Sequence, residues 1–136
     1  MSAAAKYVTV LCLICLALVS NKCKKREDMQ MQLLQKTWLH SHEDDQGDIR
    51  TYRPNTYDFP PSRGRTGFTF EKDGTYKQYD IAPTDGLEEH TGRWEAKDDD
   101  KIKIMFNQKD QQPYEIEIIS VEPNMLKIKR EYPDGN

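Results

Sequence analysis

The residues of this chain that could most directly do chemistry are its three histidines. His40 and His42 stand two positions apart in the segment TWLHSHED, and His90 begins the segment HTGRWEAK. Residues two apart in a β-strand share a face, so Trp38, His40 and His42 are predicted to form one row. His90 has the same parity as Trp94, and three imidazoles with an open fourth position suit zinc. The alternative is that these histidines are polar residues at the rim of the domain, hydrogen bonded to acids or water.

A second candidate group lies in the segment NTYDFPPSRGR, where prolines and a glycine limit how the chain can bend. Arg53, Arg63 and Arg65 flank these residues, and converging guanidinium groups can grip a carboxylate or phosphate. The alternative is that the arginines pair with acids of the same chain, such as Asp58 and Asp85, and hold the segment over one end of the domain.

Sequence signatures of catalytic sites are missing. The chain has no G-x-S-x-G motif and no phosphate-binding glycine loop, and no cysteine after the N-terminal segment is placed to act with a histidine. Glu43 and Asp44 beside His42 could transfer protons, but the same spacing is typical of an exposed turn. We therefore expect a protein without catalytic activity, with no cofactor unless the histidines bind zinc.

Eight short runs with strand-like composition must position these residues. An Asp73-Gly74 pair between the third and fourth runs predicts a tight hairpin. Apolar residues alternate with Lys and Glu in the later runs, which indicates strands buried on one face. Closure removes exposed edges, so we predict an all-β, eight-stranded antiparallel up-and-down barrel, with a β-sandwich as the alternative. The runs are TWLHSHE, DIRTYRP, TGFTFEK, TYKQYDIA, HTGRWEAK, KIKIMF, YEIEIISVE and MLKIKRE.

The first 22 residues are predicted to be a signal peptide. Lys6 precedes an apolar run from Tyr7 to Val19, which is shorter than the roughly 20 residues of a spanning helix. An N-terminal membrane anchor is the alternative. Cys12 and Cys15 would leave with the signal, so no disulfide framework would remain.

Cys23 would then be the only cysteine of the mature chain. Its position directly after the apolar run, followed by KKREDMQM, resembles the start of bacterial lipoproteins, particularly those of Bacteroidetes, which implies lipid attachment at Cys23. Ordinary cleavage after Ser20 is the alternative. Residues 23–32 are predicted to be a tether, 33–131 the barrel and 132–136 a frayed tail.

The charge of the chain argues against nucleic acid as a partner. The formal net charge is −3, and removal of the signal would take away Lys6 and Lys22 but no acid. Along the predicted strands, acidic and basic residues alternate in sign, as expected for solvated strand faces, and an acidic exported domain is a poor candidate for binding nucleic acid.

The runs resemble the lipocalin-like group of the calycins. The first strand begins K-T-W, with Trp38 where that group has the tryptophan of its G-x-W motif and Lys36 in place of the glycine. The last strand ends I-K-R, and the resemblance implies that Arg130 points inward and packs over Trp38. The stretch from Tyr57 to Phe68 is also similar to small, uncharacterised bacterial lipocalin-like proteins.

These observations predict an exported, lipid-anchored barrel of the cell envelope or periplasm that binds a small apolar or amphipathic molecule. A secreted soluble form is the alternative location. A packed structural or interaction module and a zinc-binding barrel using His40, His42 and His90 are the alternative functions. Arg63 and Arg65 would lie at the barrel mouth, and the ligand would contact Trp38, Trp94, Phe68, Phe70 and Phe106. Oligomeric state is not predicted.

Overall fold

The computed structural model describes residues 2–34, 36–84 and 86–133. Within the N-terminal helix, the side chains of residues 2–5 and 15–23 are not described. The chain divides into two compact units, Met1–Met31 and Gln32–Asn136.

Helix α1 spans Ser2–Leu33. Residues 23–32, predicted as a tether, are part of this helix, whereas the side chain of Cys23 lies outside what the structure describes. Among the described residues, none of the helices combines the length and the apolar character that a membrane crossing requires.

Eight strands follow the helix, close to the runs read from the sequence. β5 begins earlier than predicted, because Ala82 N donates to Gly86 O at 2.7 Å and turns the chain back within a few residues. The His-x-His segment leaves strand geometry after His40, and His42 begins a short 3-10 helix, His42–Asp44. The strands are β1 (Thr37–His40), β2 (Arg50–Pro54), β3 (Gly67–Phe70), β4 (Thr75–Ile81), β5 (Leu87–Ala96), β6 (Lys101–Phe106), β7 (Tyr114–Glu122) and β8 (Met125–Glu131).

The strands form a closed antiparallel barrel, which confirms the predicted fold class. The order around the barrel is β1-β2-β8-β7-β6-β5-β4-β3 and departs from the predicted up-and-down order at the first hairpin. β1 pairs with both β2 and β3, and β8 closes the barrel against β2. The departure has a physical cause in the β2–β3 link, residues 55–66, which is far longer than a hairpin turn and can pass along β1.

The inward faces of the strands form the core. Gly74, at a φ of 91°, completes the hairpin turn between β3 and β4. The predicted alternation is confirmed, since the apolar residues of one parity are buried in each of the later strands. The buried apolar residues of the barrel unit are Leu33, Trp38, Tyr52, Phe68, Phe70, Tyr76, Ile102, Ile104, Tyr114, Ile116, Ile118, Leu126 and Ile128.

The two ends of the barrel differ. At the end where β1 begins, hereafter the sealed end, Leu33 is 2% exposed and its carbonyl accepts a hydrogen bond from Trp38 Nε1 at 3.1 Å. Trp94 Nε1 donates to the carbonyl of Glu71 in the β3–β4 turn at 2.8 Å. At the opposite end, hereafter the polar end, β1 and β8 finish and β2 and β7 begin, and the interior carries polar side chains.

Candidate functional site

A chain of hydrogen bonds runs through the barrel interior toward the polar end. Tyr114 Oη donates to Gln78 Oε1 at 2.7 Å and lies 2.6 Å from Tyr76 Oη. Because the hydroxyl proton of Tyr114 is used toward Gln78, Tyr76 is the donor between the two tyrosines. Gln78 Nε2 donates in turn to Asp80 Oδ2 at 2.7 Å. β4 and β7 thus supply a continuous polar path from the core to the rim.

The two tyrosines of this path are held in their neutral form. Burial raises the pKa of Tyr114 to about 12. Burial also raises the pKa of Tyr76, and the neighbouring Tyr114 raises it further. Desolvation disfavours a phenolate in this interior, so both hydroxyl groups act as hydrogen-bond donors at neutral pH.

Arg130 brings a positive charge into the same interior. Its guanidinium carbon lies 5.0 Å from the centroid of the Tyr114 ring, and Nη2 donates to Tyr52 Oη at 3.2 Å. Nε is buried and has no hydrogen-bond partner among the described residues. The inward direction expected for Arg130 is found, but its predicted partner is wrong. β8 lies beside β2 and not beside β1, so Arg130 packs on Tyr114 while Lys36 Nζ lies 5.4 Å from the Trp38 ring centroid.

His90, on β5, lies at the rim of the polar end. Nδ1 lies 3.1 Å from Gln108 Oε1, and Nε2 lies 3.7 Å from Asp80 Oδ2 and 3.9 Å from Glu88 Oε2. The side chain is largely buried and points inward, as the parity with Trp94 predicted. Its neighbours are those of a hydrogen-bonded rim residue.

The other two histidines have partners of their own. The His40 ring stacks on Tyr52 at 5.1 Å between centroids, and its Nε2 lies 2.8 Å from Asp45 Oδ2. His42 is half exposed beside Glu43. Within the described parts of the chain, no group of three or more His, Cys, Asp or Glu side chains could hold a metal ion. The structure therefore does not gather the predicted zinc ligands, because His42 lies off the strand and His90 projects from β5 with different neighbours.

Arg65 fastens the β2–β3 link to the β1–β2 connection. It donates to both carboxylate oxygens of Glu43 at 2.9 and 2.6 Å and to the carbonyls of His40 and Pro60. Its guanidinium also lies over the Phe59 ring at 4.5 Å. These contacts occupy the fork that was expected to face a ligand, and they favour the structural alternative with Glu43 as the acid.

A second arginine supports the same connection. Arg53 Nε donates to Asp44 Oδ2 at 3.1 Å, and its guanidinium lies 4.4 Å from the Tyr57 ring centroid. Arg63, predicted at the mouth, is exposed. The two pairs, Glu43 with Arg65 and Asp44 with Arg53, are hereafter the arginine clamp.

The clamp changes what Glu43 can do. Hydrogen bonding from Arg65 lowers the pKa of Glu43 to about 2. A carboxylate with that pKa stays ionised at neutral pH and has both oxygens engaged, so it is poorly suited to move protons. The possible acid and base role of the His42-Glu43-Asp44 segment finds no support in this geometry.

The aromatic residues predicted to line a ligand site are divided among the core, the polar end and the sealed end. Trp38, Phe68 and Phe70 are 0 to 1% exposed and lie in the packed core. Phe106 is closer to the polar end, 6.0 Å from both the Tyr76 and Tyr114 ring centroids. Trp94 is partly exposed beside the sealed end and contacts Phe70 at 5.9 Å.

Two polar residues of the interior, Gln78 and Tyr114, were missed at the sequence level, whereas Arg130 was expected to point inward. Tyr52, Tyr76, Gln78 and Tyr114 line the path, together with Arg130. The sequence contained a signal for them, because Tyr114 lies on the same strand face as Ile116 and Ile118, and Gln78 lies on the same face as Tyr76. Polar side chains on the inward parity of a barrel strand mark the place where its interior stops being purely apolar.

Comparisons of the chain with family models, with curated proteins and with solved structures found no match. The fold and the geometry of the polar end are therefore the basis for a functional proposal.

Proposed function

We propose that this chain is a non-catalytic, small-molecule-binding barrel of the cell envelope, held to a membrane through a lipid on Cys23. Its ligand is a small amphipathic molecule that enters at the polar end. The closed eight-stranded barrel is compatible with a lipocalin-like binder, and barrels of this size hold one small ligand at most.

The observation that supports this proposal is the difference between the two barrel ends. The sealed end is filled by Leu33 and by the Trp38 indole that donates to it. The polar end presents the rings of Tyr114 and Phe106 next to Arg130, whose Nε has no partner in the described ranges of the chain. An interior that combines apolar rings with a few polar groups at one end is typical of a small-molecule site.

The competing function is a fully packed interaction module. It is favoured by the contacts among the aromatic rings of the core, which follow one another from Tyr52 through Phe68 to Phe70 and Tyr76 at centroid distances of 4.6 to 6.0 Å. These rings limit any ligand to the polar half of the barrel. A ligand the size of a long lipid chain is therefore not part of the proposal.

Native mass spectrometry of the processed protein, purified from the cells that produce it, tests the proposal. We expect an extra mass on the folded protein that is lost on denaturation. A bare mass, unchanged after incubation with a total lipid and metabolite extract of those cells, would contradict ligand binding and favour the packed module.

A further inference from the structure

We propose that the ligand carries a carboxylate and that Arg130 is the residue that binds it, with the Tyr52 hydroxyl as a second donor. This inference rests on the proposed function and names the chemical class of its ligand. The carboxylate would sit at the polar end, with the apolar part of a short molecule against Tyr114 and Phe106.

The charge of Arg130 has no counter-ion among the described residues. Several other basic side chains of the barrel have an acidic partner, such as Arg65 with Glu43 and Lys101 with Glu131 at 3.2 Å. Within the described ranges, no carboxylate lies within ion-pair distance of Arg130. A guanidinium stays protonated at any ordinary pH, and a buried unpaired charge is costly, so the site favours an anion.

The donors around Arg130 are arranged to receive one. The Nε–H, which has no partner in the part of the chain that the structure describes, and a neighbouring Nη–H form the planar fork that a carboxylate accepts with its two oxygens. Tyr52 Oη already accepts a hydrogen bond from Nη2, so its own hydroxyl hydrogen remains to donate. Tyr52 is fully buried, and a hydrogen bond there is shielded from water.

The surroundings select a carboxylate over a more highly charged anion. Arg130 is one positive charge, whereas Asp80 and Glu88 stand at the rim beside His90. A phosphate with two charges would meet these acids with only one cation to balance it. The Tyr114 ring under the guanidinium and the Phe106 ring beside it favour a ligand with an apolar part next to the carboxylate.

The test compares hexanoate with 1-hexanol as probes of equal chain length. The processed protein is labelled with ¹⁵N, and the Nε–H resonance of Arg130, assigned by its loss in Arg130→Gln, is followed during titration. We expect hexanoate to shift this resonance and to bind more tightly than 1-hexanol. In Arg130→Gln, hexanoate affinity should fall roughly 10- to 100-fold while 1-hexanol affinity stays unchanged.

Two further variants keep the interpretation specific. Tyr52→Phe should weaken hexanoate by several-fold through the loss of one donor. Arg93→Gln removes an equal charge from an exposed position on β5 and should leave hexanoate binding unchanged. If Arg130→Gln does not fold, the Nε–H resonance is assigned by its loss in Arg130→Lys, which keeps the charge, and its shift in the unmodified protein then decides the matter.

Equal binding of both probes, with no shift at Arg130 Nε–H, would overturn the carboxylate inference and leave the small-molecule function standing. Absence of binding by either probe would overturn the inference too, and a bare mass in the native spectrum would then remove the function as well. Asp134 lies outside the described residues, and Asp134→Asn tests it as an internal partner. A change of the Nε–H resonance in that variant without any probe would show that the chain satisfies its own arginine, which also overturns the inference.

Discussion

Replacing Tyr114 by phenylalanine removes the central hydroxyl of the buried path while keeping its ring. That hydroxyl receives a hydrogen bond from Tyr76 at 2.6 Å and donates to Gln78 at 2.7 Å. The variant therefore loses two hydrogen bonds and leaves the Tyr76 hydroxyl and the Gln78 carbonyl oxygen without partners inside the barrel. We expect a loss of about 2–4 kcal/mol in the free energy of unfolding.

Two variants at neighbouring tyrosines provide the comparison for this loss of unfolding free energy. In Tyr76→Phe, Tyr114 still donates to Gln78, so only one bond is lost and the expected cost is about 1 kcal/mol. Tyr132→Phe alters a side chain that is 44% exposed and should change stability by less than about 0.5 kcal/mol. The cost in the double variant Tyr76→Phe with Tyr114→Phe should be smaller than the sum of the two single costs, because it no longer strands the Tyr76 hydroxyl.

The assay is urea unfolding followed by tryptophan fluorescence. Both tryptophans, Trp38 and Trp94, belong to the barrel unit, so the transition reports the barrel even in the full chain. Alkaline pH gives a second measure. The pKa of Tyr114 is raised from 10.0 to about 12, so the folded state keeps a proton that the unfolded state releases. The contribution of Tyr114 to the free energy of unfolding is complete below pH 10 and falls by about 3 kcal/mol as the pH rises to 12. Tyr114→Phe should lack this decline.

A decrease of less than about 0.5 kcal/mol in the free energy of unfolding of Tyr114→Phe, with an unchanged slope against urea concentration, would refute the reasoning. It would mean that water reaches these hydroxyls and that the polar path is not enclosed. An alkaline decline of equal size in both proteins would refute the assignment of the raised pKa to Tyr114.

Three other predictions concern the barrel wall, the clamp and the anchor. A Cβ at Gly92 would collide with the backbone carbonyl of Met105 on β6, so Gly92→Ala should lower the free energy of unfolding by about 3 kcal/mol or more, whereas Gly86→Ala, at an open position, should behave like wild type in thermal unfolding. The pKa of Glu43 is lowered from 4.5 to about 2, so the stability from its arginine partner is present above pH 4.5 and is lost as the pH falls toward 2. Pepsin should cleave the β2–β3 link increasingly over that range, while Glu43→Gln should be cleaved throughout it, and equal cleavage of the two proteins at pH 4.5 would contradict the clamp. Cys23→Ser should move the protein from the membrane to the soluble fraction, and a protein that is soluble before and after the change would contradict lipid attachment.

The strand pattern was readable because it depends on local alternation. β6, β7 and β8 have the bounds that the apolar and charged residues gave them, and the Asp73-Gly74 turn lies between β3 and β4 as expected. These features require only that one face of each strand meets a core.

The strand order and the site were not readable in the same way. Whether β3 joins β2 or β1 depends on the path of the β2–β3 link, which Arg65 fixes by reaching back to Glu43. That pairing is one of many acid and arginine combinations that the sequence allows. The partner of Arg130 followed from the same choice, since β8 beside β2 brings it to Tyr52.

The strand order also determines how the barrel can assemble. β3 to β8 form a continuous meander in which every strand pairs with its neighbour in sequence, so this part can form by short loop closures. The β1–β2 hairpin must then enter the gap between β8 and β3, where Tyr52 meets Arg130 across 78 positions of chain. Such distant pairing carries the largest loop-closure entropy, so we expect it to form last in folding. The surroundings of Arg130 are therefore created when the β1–β2 hairpin pairs with β8 and β3. During synthesis, β8 would have to leave the ribosome before these surroundings can form.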